Sequence, residues 1–106
     1  MTDTPDDSSI TTSLPDALAI KKSAVILRAI NHKLRQQMLR LILQHGKMKV
    51  TEIFEQLFLE QSVASQHLAI LRKAGFVKTK REGKFIWYSV NLQRLEQVQK
   101  VIDILI

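Results

Sequence analysis

Apolar residues recur at helical spacing through most of this chain and change to strand-like alternation once, between Val77 and Val90. Ala17, Ile20, Ala24, Leu27 and Ile30 make the stripe of a first helix, entered through Ser13-Leu14-Pro15-Asp16, where proline suits the first turn. Asn31 is the expected N-cap of a second helix that turns Leu34, Met38, Leu41 and Ile42 inward and stops at His45-Gly46. Thr51 is expected to cap a third, with Ile53, Leu57 and Phe54 on its buried side. A fourth runs from Glu60 to Ala74 on Ala64, Leu68 and Leu71, and Gly75 ends it. Val77 to Arg81 and Phe85 to Val90 then read as two strands around Glu82-Gly83-Lys84. Ile86, Tyr88 and Val90 are expected to face the core, leaving Phe85 and Trp87 as a cross-strand pair on the other side. Leu92, Leu95, Val98, Val101, Ile102 and Leu105 belong to a last amphipathic helix. The fold class is therefore mainly α with a small β-hairpin: about five helices and two strands.

The fourth helix differs from the others on its outer side. Gln61, Ser62, Ser65 and Gln66 present short or amide side chains, which can approach base edges in a groove, and Gln66 can pair bidentately with adenine. Gln61 near the helix start can equally meet phosphate or water, and Ser62 and Ser65 are either phosphate contacts or ordinary exposed serines. Arg72 and Lys73 suit the negative end of the helix dipole and can touch a DNA backbone or only solvent. The hairpin crowds Lys78, Lys80, Arg81 and Lys84 at its tip, where Arg81 and Lys84 flank Gly83. Helix followed by basic hairpin describes a winged helix-turn-helix that reads duplex DNA, with the tip on the minor groove or on phosphate.

Charge supports a polyanionic partner. The formal net charge is +6, and the first sixteen residues hold four of the ten acidic side chains and no Lys or Arg. Residues 17–106 thus set 16 basic groups against 6 acidic ones, a net +10. Residues 1–12, short, polar and acidic, are expected to be a disordered tail, leaving 13–106 as one DNA-binding and dimerisation domain. With no cysteine, thiolate metal sites, disulfides and thiol redox sensing are excluded. No apolar run approaches membrane-spanning length and the N-terminus lacks a signal-peptide pattern, so a cytoplasmic protein with no membrane partner is expected.

Residues 25–90 resemble the arsenical-resistance repressor family, ArsR/SmtB, whose members are bacterial winged helix-turn-helix regulators acting as homodimers. The resemblance is carried by Ser65, His67-Leu68, Leu71, Ala74-Gly75-Phe76-Val77, Arg81-Glu82-Gly83 and Tyr88. It implies a dimer built from the terminal helices, here through Ala17, Ile20, Ala24, Leu27, Leu95, Val98, Val101, Ile102 and Leu105. A two-fold dimer implies a palindromic operator with half-sites about 34 Å apart or a multiple of that. His67 falls on the family's His-Leu pair, which implies packing or phosphate contact rather than metal binding. Many members carry arginine where Gln66 stands, so adenine in place of guanine is the expected preference.

The chain also departs from the family. Metal-sensing members place Cys-x-Cys where Lys49 and Thr51 stand, and a second site draws Asp and His from the last helix, which here opens Asn91-Leu92-Gln93-Arg94 and has no histidine. Neither metal site is expected, and no cofactor. His32 and His45, thirteen residues apart on one helix, fall on opposite faces; Glu96 and Asp103 share a face but have no histidine beside them. Phe58 occupies a turn position where the family has glycine, so either a reshaped turn or a packed Phe58 is expected, and Glu60 is a weak N-cap. The leading expectation is a repressor whose inducer, if a small molecule, is unknown. The other readings are a metalloregulator with an oxygen and nitrogen site and a protein-interaction module that has lost DNA binding. An enzyme is not expected, since neither a catalytic triad nor a glycine-rich phosphate loop occurs.

Overall fold

The computed structural model describes residues 24–105, with side-chain environments to Lys100. The acidic tail, the Ser13–Asp16 helix start, and Ala17 and Ile20 lie outside the described residues. Residues 24–30 are helical (α1). They are followed by α2 (Lys33–His45), β1 (Met48–Lys49), α3 (Val50–Gln56), α4 (Gln61–Lys73), β2 (Val77–Glu82), β3 (Phe85–Val90) and α5 (Leu92–Leu105).

The core is one cluster. Met38 and Ile42 of α2, Ile53 of α3, Ala64, Leu68 and Leu71 of α4, and Phe76 are all fully buried, joined by Met48, Ala29, Leu39 and Val98. Burial on α1 centres on Ala29, with Ile26, Leu27 and Ile30 packed beside it, while Ala24 is exposed in the single copy. On α2, Leu39 is buried while Leu34 and Leu41 are half-buried.

Two helix starts differ from expectation by one or two residues. His32, not Asn31, caps α2: its Nδ1 accepts from the Leu34 amide at 3.2 Å. The Asn31 amide instead closes the end of α1 onto the Leu27 carbonyl. Lys49, not Thr51, stands at the N-cap of α3, where its amide donates to the Glu52 carboxylate at 2.8 Å. Only this half of a capping box can form, because a lysine ammonium has no lone pair to accept with. At the far end of α2 the glycine stop is as expected, with Gly46 at φ 82°.

The sheet has three strands, not two, in the order β1-β3-β2, both pairs antiparallel. Met48 and Lys49 pair with Tyr88 and Trp87, placing the short β1 on the other edge of the hairpin. Phe85 and Trp87 therefore lie two apart on the same strand, and the cross-strand neighbours of Trp87 are Lys49 and Lys80.

α3 and α4 end in the same motif. At α4, Phe76 donates to the Leu71 carbonyl and Gly75 to that of Arg72, with Gly75 at φ 85°. At α3, Leu59 donates to Phe54 and Phe58 to Glu55, with Phe58 at φ 55°. These paired bonds are a Schellman stop, which requires a left-handed residue and normally uses glycine. Phe58 neither reshapes the turn nor packs: it adopts the left-handed conformation and is 95% exposed. The flanking pair, Phe54 and Leu59, is half-buried against the core and holds the backbone there. Phe58→Gly is expected to raise folding stability by about 1 kcal/mol, by relieving the side-chain clash of that conformation. Gly75→Ala should lower stability, because the φ is strained for alanine and its Cβ would meet the Arg94 guanidinium at 2.8 Å. Urea unfolding of both variants checks the opposite signs.

Candidate nucleic-acid interface

Alternation between buried and exposed positions organises α4. Ala64, Leu68 and Leu71 point to the core, and at about 100° per residue the opposite side carries Ser62, Gln66, Ala69 and Lys73. Gln61, Ser65 and Arg72 lie on one flank of that side. All seven are exposed. Glu60 caps the helix with no side-chain hydrogen bond, so the first α4 amides receive no carboxylate from it.

The hairpin stands beside this surface. A cleft of about 380 Å³ separates the two, lined by Ser65, Ala69, Arg72 and Lys73 of α4 and by Tyr88 of β3. Strand parity sorts the basic residues. Val77, Thr79 and Arg81 pair with Val90, Tyr88 and Ile86 on the side that faces α4, while Lys78 and Lys80 pair with Ser89 and Trp87 on the side that faces away. Lys80 and Arg81, grouped together by sequence, thus point in opposite directions. Arg81 Nε donates to the Gly83 carbonyl at 3.3 Å, which leaves its terminal nitrogens for a partner.

Ile86 faces the α4 side as expected but is 43% exposed, because the hairpin extends past the end of the core. It sits directly across from Arg81. An apolar side chain beside a guanidinium at the hairpin tip adds a candidate contact that sequence reading missed; alternation gave its face, but not how far the core reached.

His67 lies off the exposed strip of α4. Half-buried, it meets the ring of His32 with centroids 4.8 Å apart, and its Nδ1 is buried without a hydrogen-bond partner. This arrangement suits packing between α4 and the N-cap of α2. Among the described residues, no group of three His, Cys, Asp or Glu side chains is placed to hold a metal ion. Lys49 lays its ammonium over the Phe85 ring at 4.4 Å.

Burial, then the nearby His32 and Arg35, lowers the His67 pKa from its ordinary 6.5. The unfolded chain therefore takes up a proton on this residue more readily than the folded one. The folded state is favoured fully above pH 6.5 and progressively less as pH falls from there through the lowered folded value. His67→Gln should flatten that part of the stability profile, as read by urea midpoints between neutral and mildly acidic pH.

Comparison with known proteins places this surface in a family. Residues 32–79 match the arsR family of bacterial regulatory proteins. An uncharacterized HTH-type transcriptional regulator of Methanocaldococcus jannaschii is 35% identical over 83 residues, 78% of this chain and 93% of its own length. The transcriptional repressor PagR of Bacillus anthracis is 30% identical over 86 residues, 81% of this chain and 86% of its own. Its crystal structure superposes with a TM-score of 0.65, covering 85% of this chain and 99% of that one. HlyU of Vibrio cholerae, named a transcriptional activator, is 34% identical over 84 residues, 79% of this chain and 74% of its own. The HlyU structure gives a TM-score of 0.66 at 30% identity, over 81% of this chain and 94% of that one. This chain, with its winged helix-turn-helix fold, belongs to the arsR family of bacterial regulatory proteins.

Proposed function

We propose that this DNA-binding regulator is a homodimeric, sequence-specific repressor that occupies a palindromic operator in cytoplasmic duplex DNA and excludes polymerase. The observation that carries the proposal is the exposed polar side of α4, where Ser62 and Gln66 are backed by fully buried Ala64, Leu68 and Leu71 and flanked by Arg81 on the near side of the hairpin. A rigid helix with small and amide side chains outward fits a major groove, and the hairpin tip fits the adjacent minor groove or its phosphates. Relatives named repressors, among them PagR and the biofilm growth-associated repressor of Agrobacterium fabrum, favour repression; HlyU, named an activator, has the same fold.

Dimerisation is supported by what one copy leaves uncovered. Val25 on α1 is 51% exposed and Leu92 on α5 is 58% exposed. Between the same helices a depression of about 560 Å³ is lined by Leu27, Ile30 and Val98, with Asn31 and Gln36 at its rim. A second copy covering these helices buries the apolar positions, and the depression offers a small-molecule inducer a place whose shape changes with the dimer. Val101, Ile102 and Leu105 extend the interface expected from sequence, although their side chains lie outside the described residues.

Lysine at position 49, threonine at 51 and the absence of histidine from α5 favour a regulator without the family's metal sites. Zinc or nickel that leaves operator affinity and melting temperature unchanged is the expected result; a metal-dependent loss of affinity would support the metalloregulator instead. The basic hairpin weighs against an interaction module released from DNA.

Selection of bound duplexes from a random library tests the proposal. Gln66→Ala is expected to weaken binding by about 1–3 kcal/mol and to relax preference at one base pair per half-site. Arg81→Ala should weaken all sequences alike and, where it meets phosphate, reduce the salt slope by about 1 per protomer, about 2 for the dimer. Recovery of no palindrome, with sequence-blind binding by the wild type, would refute the repressor reading.

A further inference from the structure

The side of the sheet turned away from α4 has a composition that the α4 surface does not account for. Phe85, exposed, and Trp87, half-buried, lie there, and lysines from the β1 segment and from the hairpin turn lie over their rings. The ammonium of Lys47 is 4.6 Å from the centre of the Trp87 ring, that of Lys49 4.4 Å from Phe85 and 5.5 Å from Trp87, and that of Lys84 5.8 Å from Phe85. Strand parity adds Lys78 and Lys80. The acidic side chain on this face is Glu82, which lies 3.6 Å from Lys47 and 3.8 Å from Lys80. Five lysines thus gather around Glu82, with Glu52 beside the Lys49 backbone at the start of α3, so basic groups outnumber acidic ones here.

Holding an ammonium on a ring does not neutralise it. The ring fixes where the charge sits, so less side-chain freedom is lost when an anion arrives. Exposed pairs with Glu82 are weak and screened, and give way readily to phosphate. Placement then selects the partner. A duplex that touches α4 and Arg81 lies along the near side of the hairpin and continues past its far side, where these lysines point.

We propose that the outer face of the sheet is a second phosphate-binding surface, with Lys47 and Lys49 of the β1 segment contacting the backbone of duplex DNA that flanks the operator half-site. This rests on the operator-binding reading above and extends the footprint beyond the hairpin tip. The contacts carry no sequence information; they add affinity that depends on duplex length and salt.

Binding of the full chain to two duplexes tests it: one ending at the selected operator, and one extended on each side by about ten base pairs of unrelated sequence, one helical turn. Wild type should bind the extended duplex more tightly. Lys47→Gln with Lys49→Gln should weaken binding to the extended duplex on the order of tenfold and reduce its salt slope by about 2 per protomer, about 4 for the dimer, with the short duplex unaffected. Lys47→Arg with Lys49→Arg should restore wild-type behaviour. Equal binding by the glutamine variant and wild type on both duplexes overturns the proposal, as does an equal loss on both, which would place the effect in the fold or in α4. Tighter binding by the glutamine variant also overturns it, by showing that these lysines hold an acidic segment such as residues 1–16 in competition with DNA. Wild type that binds neither duplex removes the operator reading itself, and this inference with it.

Discussion

The inward side of α4 sets what its outward side can do. Ala64, Leu68 and Leu71 are fully buried against Met38, Ile42, Ile53 and Phe76. Each large side chain in that set is worth roughly 1.5–3 kcal/mol of burial. Removing one costs about 2–5 kcal/mol once the cavity is counted. The packing fixes rotation of the helix about its own axis, and one residue of rotation would turn Ser62 and Gln66 by about 100°. Because the Phe76 amide closes the helix onto Leu71 and Phe76 is itself buried, the same contacts that orient α4 also set where the hairpin leaves it. Asn91 returns the chain to this point: its side chain donates to the Gly75 carbonyl at 2.9 Å and its amide to that of Phe76. Helix, hairpin and the start of α5 are thus tied at one corner.

That corner was legible in the sequence. Leu68 and Leu71 at helical spacing, a glycine after Ala74, and alternation from Val77 each report a local rule that the packing then obeys. β1 was not, because two residues between a glycine stop and a helix have no period to detect. Its existence depends on Tyr88 and Trp87, forty residues away in the chain. The caps at His32 and Lys49 were misplaced because residue preference favours asparagine and threonine, whereas the actual starts follow from where tertiary contacts bend the backbone. Phe58 shows the same override at greater cost. Its side chain argues against a left-handed turn, and the packing of Phe54 and Leu59 imposes one. Of the interface, the polar side of α4 and the basic tip could be read from sequence. The separation of Lys80 from Arg81 needed the register, and Ile86 needed the extent of the core.

Two kinds of contact coexist on the proposed DNA-facing surface. Gln66 and Ser62 stand on a helix whose orientation is fixed by the core, which suits readout of bases, where an error of an ångström loses the hydrogen bond. Arg81, Lys84 and the lysines of the outer sheet stand on the hairpin and on the β1 segment beside it, with ammonium groups held over aromatic rings, which suits phosphate, where charge matters more than geometry. The chain places precision where the packing is tightest and charge where the structure projects furthest.

The strand order has a consequence for how copies of this protein meet. β3 is paired on both sides, β1 covers only two of its residues, and β2 leaves one long edge open to solvent. Such an edge invites a strand from a second molecule. Here β2 carries Lys78, Lys80 and Arg81 among its six residues, so two such edges brought together would set cations near one another. A strand edge carrying three cations thereby weighs against open-ended sheet growth between copies of the chain.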